Sequence, residues 1–241
     1  GLPLGSLADL RPAFARTQAD GTFLDVKDVV DLRLNVSTLR AVTTYLRARD
    51  AERFPALIKM TESVELFPDI EREIERIINK YGEVKDTASP QLAEIRRSIL
   101  SAQSSISKTL NAILRQAQAS GIVDKEAAPT IREGRLVIPV SAMNKRKIQG
   151  IIHDESATGK TAFVEPTAVV EVNNRLRELE NEERREIIRI LVEFTNLVRP
   201  YYEAIAQSVY FLAEVDALRA KSQFSISIRA IKPYLVSECE V

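Results

Sequence analysis

The run Ser89-Pro90-Gln91-Leu92-Ala93-Glu94-Ile95-Arg96-Arg97-Ser98-Ile99-Leu100 opens a segment whose apolar residues recur at Leu92, Ile95, Ile99, Ala102, Ile106, Leu110, Ile113 and Ala117. Steps of three and four residues place these side chains on one stripe of an α-helix, the pattern of a long helix that packs on a single partner. Ser89 is placed to cap the amino end, because its hydroxyl can accept from an amide that the helix leaves unpaired. Pro90 suits the first helical position, where its missing N–H is no loss. The segment closes near Ser120-Gly121.

Toward the C-terminus the helical period disappears between Thr130 and Glu165. Leu136-Val137-Ile138-Pro139-Val140, Ile148-Gln149-Gly150-Ile151-Ile152 and Thr161-Ala162-Phe163-Val164 are short β-prone runs separated by turn residues. After Pro166 a second stripe runs through Val169, Val172, Leu176, Leu179, Ile187, Ile190, Phe194, Leu197 and Tyr201 and on to Ile205, Leu212, Val215 and Leu218. Pro200 should kink or split it. Two stripes of similar length around one small island predict an antiparallel pair of long helices with a strand-containing domain at its tip. A helix of about 30 residues reaches roughly 45 Å.

Toward the N-terminus, Val29, Leu32, Val36, Leu39, Val42 and Leu46 mark a helix over residues 25–49 with Asp25 as its cap. Ile70, Ile74, Ile77 and Ile78 mark a second over 69–80, with Gly82 expected to close it. The fold class is therefore mainly α, a helical core bundle plus two long antiparallel helices that carry a small strand-containing domain. The divisions fall at 1–86 for the bundle, 87–129 for the first long helix, 130–165 for the island, 166–200 for the returning helix and 201–241 for the return to the bundle.

With 45% hydrophobic and 28% charged residues, 8 Gly and 10 Pro, the chain has the composition of a folded, helix-rich protein. Its 34 basic residues balance 34 acidic ones, so a nucleic-acid site has to be a local patch rather than a global charge. A single cysteine, Cys239, excludes an intramolecular disulfide and a multi-cysteine metal site, which fits a reducing, cytoplasmic address. No apolar run approaches the roughly 20 residues of a membrane span, and the start at Gly1-Leu2-Pro3 lacks the order of a signal peptide. That start, and the end at Cys239-Glu240-Val241, read as those of a piece of a longer protein.

Four blocks in order then carry a family resemblance. They are Thr87 to Arg97; Ile131-Arg132-Glu133-Gly134-Arg135-Leu136-Val137-Ile138-Pro139-Val140; the stretch from Gly150-Ile151-Ile152-His153-Asp154-Glu155 through Ser156-Ala157-Thr158-Gly159-Lys160-Thr161 to Ala162-Phe163-Val164-Glu165-Pro166; and Val169 to Glu180. Together they resemble the MutS type 2 family over nearly the whole chain. The resemblance implies a lever of long helices joined to a clamp, the clamp being the island. It also implies an ABC-type ATPase domain, using ATP and Mg2+ and forming the homodimer, and usually a small Smr nuclease domain, both outside this chain. For this chain it implies no catalytic centre and no cofactor. The expected partners are double-stranded DNA, in suppression of recombination, or the ribosome and its rRNA, in rescue of collided ribosomes.

Candidate site residues are cations of the island. Lys145-Arg146-Lys147 falls between two strand runs, where a loop would project, and with Arg132, Arg135 and Lys160 it would offer phosphates a basic surface. The ordinary alternative is a solvated hairpin. Phe163 is the island's sole aromatic, so stacking on single-stranded bases is not indicated.

Gly159-Lys160-Thr161 has the end of a phosphate-binding loop, but the required first glycine is replaced by Asp154, so a turn between strands is expected. His153, the only histidine, is expected to hydrogen-bond in a turn that sets the strand register. The charges from Glu178 to Arg189 read as a solvated helix face rather than a metal cluster. Tyr201, Tyr202, Tyr210 and Phe211 are expected to pack against the helices of the first 80 residues. The rival to nucleic-acid binding is a protein-interaction arm whose basic loop is incidental.

Overall fold

The computed structural model describes residues 2–231, and Cys239 lies outside them. Two compact units divide the chain, one of Gly1–Lys85 with Leu191–Val241 and the other of Asp86–Ile190. No helix among the described residues is long and apolar enough to cross a membrane.

In the first unit α1 spans Arg11–Arg16, α2 Val26–Arg47, α3 Pro55–Met60 and α4 Pro68–Ile77. Asp25 caps α2 as expected, accepting from the Asp28 amide while Asp28 returns the bond in a reciprocal capping box. The α2 stripe Val29, Leu32, Val36, Leu39, Val42 and Leu46 is buried throughout. Helix α4 ends at Ile77, before Gly82, because Ile78 turns extended and pairs with Val84 across a tight turn. Gly82 therefore serves that turn, at a φ of 82°, and does not close the helix.

In the second unit α5 covers Pro90–Ala119, and the Ser89 hydroxyl accepts from the Leu92 amide at 3.0 Å. Strands β1 (Thr130–Arg132), β2 (Arg135–Ser141), β3 (Gly150–Glu155) and β4 (Thr161–Pro166) follow, and α6 runs over Thr167–Val198. Pro200 splits the returning stripe as its fixed φ and missing N–H require: a 3-10 turn at Arg199–Tyr201 separates α6 from α7, Tyr202–Ser227.

Helices α5 and α6 run antiparallel. Ser89 at the start of α5 bonds Glu186 at 2.6 Å, and Arg96 pairs with Glu183 at 2.6 Å. At the other end of the pair, Ile106, Leu110, Leu114 and Ala117 of α5 and Val169 and Leu176 of α6 form one core with Ile138, Val140, Ile148 and Val164 of the strand region. The sheet is thus built onto the helix ends and shares their core. A fully buried leucine such as Leu110 contributes about 1.5–3 kcal/mol through the area it removes from water.

Tyr202 fulfils the aromatic expectation, stacking on Phe14 with ring centroids 4.0 Å apart and sharing a 2.7 Å hydrogen bond with Thr17. Tyr201 meets Phe67 edge-on at 6.1 Å. Tyr210 departs from it, being 63% exposed beside the recess lined by Leu7, Leu10 and Phe14.

Candidate nucleic-acid interface

The sheet has the order β1-β2-β4-β3, with every neighbouring pair antiparallel. A two-residue turn joins β1 to β2, with Glu133 at φ 48° and Gly134 at φ 72°. Positive φ at both positions is the hairpin geometry whose twist matches the strands it joins. Because β2 and β3 both lie antiparallel to β4, they run parallel to each other, and the segment between them has to return along the sheet. That segment, residues 142–149, begins where the Ala142 amide bonds the Lys160 carbonyl at 2.9 Å and ends where Gln149 accepts from the Thr167 amide at 3.0 Å.

The return path decides what happens to Lys145-Arg146-Lys147. Ile148 is buried in the shared core, and the Asn144 side chain donates to the Ile122 carbonyl at 3.1 Å, so the segment lies back on the unit instead of projecting. Lys145 pairs with Glu155 at 2.9 Å, which removes one charge from the concentrated positive loop that the sequence suggests. Arg146 and Lys147 are exposed, and neither side chain has a hydrogen-bond or ion-pair partner among the described residues. Lys147 borders a recess with Gln116 and Ala117 of α5, Ser120 just past its end and Thr167 of α6.

Lys160 is likewise exposed and without a side-chain partner, on the turn from β3 to β4. Gly159 stands there at φ 67°, its amide bonding the Ser156 carbonyl at 2.7 Å, and Thr161 begins a strand. A phosphate-binding loop feeds a helix N-terminus, so Gly159-Lys160-Thr161 is a hairpin turn, as expected.

The other two candidates are tied into the sheet. The Arg132 guanidinium lies 4.0 Å from the centroid of the Phe163 ring and 3.3 Å from Asp154. Arg135 donates to Glu165 at 2.8 Å and to Asn174 at 2.6 Å, and only 17% of its side chain is exposed. The structure therefore sorts the six cations into two groups. Arg132, Arg135 and Lys145 are paired within the sheet domain, and Arg146, Lys147 and Lys160 present open charge.

Glu165 organises the first group. It is fully buried, and besides Arg135 it accepts from Asn173 at 2.7 Å and from His153 Nε2 at 2.5 Å. Burial pushes its carboxyl upward, but the bonds from His153, Asn173 and Arg135 outweigh that and hold it below the usual carboxylate range. An ionised carboxylate only accepts, so the histidine carries its proton on Nε2. His153 sits in β3, where the register slips between Ile152 and Asp154, and not in a turn as expected. Its bond to β4 does bear on the register, because a bulge leaves one residue unpaired in the ladder.

Nothing in the period of the sequence marks Glu165 or Asn173 as partners. Their signal is the charged residue that follows the apolar Ala162, Phe163 and Val164 of β4 and an asparagine on the inward stripe of α6. Among the described residues no group of three or more His, Cys, Asp or Glu side chains is placed to hold a metal ion. The charges from Glu178 to Arg189 lie on the helix instead, Arg175 bonding Glu178 at 3.0 Å on the exposed face, but the face is not solvated throughout: Glu186 is buried, bonding Arg189 and Ser89 at 2.6 Å, because it faces α5.

Known proteins of similar sequence identify the family. The chain is 36% identical over 236 residues to the Endonuclease MutS2 of Geobacillus sp. strain WCH70, covering 97% of this chain and 30% of that protein. It is 37% identical over 237 residues to that of Symbiobacterium thermophilum, covering 98% of this chain and 29% of that protein. This chain belongs to the MutS2 family. To the Endonuclease MutS2 of Lacticaseibacillus paracasei it is 33% identical over 242 residues, 100% of this chain. It spans about 30% of the length of these MutS2 relatives. No family model matches the chain.

Proposed function

We propose that this MutS2 segment is a lever and clamp, in which the sheet domain at the end of α5 and α6 grips a nucleic-acid backbone, duplex DNA or ribosomal RNA. The long helices pass the gripped state to an ATPase elsewhere in the longer protein. The observation that carries the reading is the trio Arg146, Lys147 and Lys160, exposed on the loops of the sheet and without partners, while nearby Asp154, Glu155 and Glu165 are already engaged. Open cations favour phosphates, and phosphate contacts position a protein without reading bases. In this reading the segment performs no chemistry and works in the cytoplasm. ATP, Mg2+, the homodimer contact and the endonuclease activity named in the relatives belong to the rest of the protein.

The test is binding of duplex DNA and of structured RNA across a salt series, by the wild type and by the variant Arg146→Ala/Lys147→Ala/Lys160→Ala. The expected result is a broad loss of affinity and a log–log salt slope shallower by about one unit per lost phosphate contact. An unchanged slope would move the site off these loops.

A protein-interaction arm has its own observation, since Ile131, Met143, Ile151 and Ile152 of the sheet domain are 63%, 92%, 48% and 42% exposed. Retention on intact ribosomes without binding to free nucleic acid would favour that reading.

A further inference from the structure

The outward stripe of α5 has a composition that the clamp loops do not explain. Arg97, Ser101, Ser104, Lys108, Arg115 and Ala119 are exposed at helical spacing on the side opposite the buried Ile106, Leu110 and Ala117. Between Glu94 and Asp124 the sequence contains no acidic residue. Lys108 and Arg115 accordingly meet no carboxylate on their own helix, and neither has an ion-pair or hydrogen-bond partner elsewhere among the described residues. Arg97 reaches only the Ala93 carbonyl, at 3.3 Å.

Helix α6, its antiparallel neighbour, is built the opposite way, with Arg175 bonded to both Glu178 and Glu182 and Arg189 bonded to Glu186. An exposed helix gains about 0.2–0.5 kcal/mol from each such pair. Helix α5 forgoes that gain over most of its length, so its charges are set for something other than its own stability.

We infer that this stripe of α5 is a second contact for a nucleic-acid backbone, continuous with the loop of Arg146 and Lys147. The inference rests on the reading above and extends the contact from the sheet onto the long helix. Continuity comes from the recess that Lys147 lines together with Gln116, the residue that follows Arg115 on α5. Lys108 and Arg115 stand two turns apart, about 10.5 Å at 1.5 Å per residue. Two flexible cationic side chains that far apart can each meet a phosphate of one nucleic-acid backbone. Ser101 and Ser104 add neutral donors, and small side chains at these positions let a backbone approach closely. The absence of carboxylates from the sequence between Glu94 and Asp124 removes from that part of the helix what would repel it.

The experiment titrates the 241-residue chain into a fluorescein-labelled DNA duplex and a labelled RNA hairpin across a salt series, read by anisotropy. It compares the wild type with Lys108→Ala/Arg115→Ala, with the loop variant above and with Arg184→Ala/Arg185→Ala on α6 as a control for general loss of charge. Circular dichroism checks folding, and Lys108→Gln/Arg115→Gln stands in should the alanine pair lose helicity. The expected result is a slope shallower by about two units for the α5 variant, at roughly 0.9 per phosphate on duplex DNA, with the α6 control unchanged. The swap Lys108→Arg/Arg115→Lys should keep the wild-type slope.

Wild-type binding that falls only in the loop variant would overturn the α5 contact and leave the clamp reading standing. Binding that falls only in the α5 variant would uphold the contact and remove the loop site. No binding by the wild type would overturn both. A change in self-association by sedimentation, at an unchanged salt slope, would assign the stripe to a second copy and overturn the inference.

Discussion

Replacing Glu165 by Gln tests whether a buried carboxylate locks the sheet to the helices. Its two oxygens take three bonds, from Arg135 at 2.8 Å and Asn173 at 2.7 Å on one and from His153 at 2.5 Å on the other, and the residue has no exposed surface. Gln keeps one oxygen but turns an NH2 toward a donor and removes the charge opposite Arg135. Losing hydrogen bonds to a charged group costs about 1.5–3 kcal/mol. Glu165→Ala goes further, leaving the guanidinium without its carboxylate, at about 3–5 kcal/mol for a broken buried pair. The two costs describe one cluster and do not add.

The chain has no Trp, so urea unfolding is best followed by circular dichroism, with hydrogen exchange locating the loss. Stability should fall from wild type to Gln to Ala, with lost protection in β3, β4 and the start of α6. Because bonding holds the folded Glu165 carboxyl below its ordinary 4.5, its stabilisation is complete above that value and is lost as the pH falls through the lower folded one. Wild-type stability should therefore drop more steeply on acidification below about pH 4.5 than that of Glu165→Gln. A Gln variant within about 0.5 kcal/mol of wild type at neutral pH, with the same acid slope, would refute the lock.

Two further substitutions probe how the sheet is attached. A Cβ at Gly150 would stand 2.1 Å from the Glu165 carbonyl oxygen, so Gly150→Ala should cost about 1–3 kcal/mol. Hydrogen exchange should show the loss in β3 and residues 142–149 while the pairing of β1 with β2 is kept. Leu110→Ala opens the core shared by α5 and the sheet and should cost about 2–5 kcal/mol, with β2, β4 and the end of α5 losing protection together; sheet amides that stay protected would separate the sheet from the helix core.

The helical part of the fold is legible because its period is long and its ends are chemically marked. Asp25 and Ser89 cap where side-chain oxygens stand before apolar stripes, and Pro200 splits the last one. Elements shorter than two turns, α1 and α3, carry too few apolar repeats to show a period. Gly82 reads as a helix end because a glycine after an apolar stripe fits that role. The pairing of Ile78 with Val84, which claims it for a turn, is a contact between residues and not a local pattern. Ile148 reads as a strand residue for a similar reason, since a buried crossover and a buried strand both place apolar side chains inside.

The candidate site was legible only as a set of cations, because a charge in a sequence carries no information about its partner. Lys145 meets Glu155 ten positions away, Arg132 meets Asp154 across the sheet, and Arg135 meets Glu165 and Asn174 thirty and thirty-nine positions away. Each partner is delivered by strand order and by the start of α6, neither of which local spacing specifies. The consequence reaches the function. A substitution at Arg135 removes a ligand of the buried Glu165 carboxylate, so it acts on the fold before it acts on any phosphate. Arg146, Lys147 and Lys160 hold nothing in place, so their removal is free to report on binding alone. The same distinction separates Lys108 and Arg115 of α5 from Arg175 and Arg189 of α6: the α6 pair is bonded to carboxylates of its own helix, and the α5 pair remains open to a polyanion.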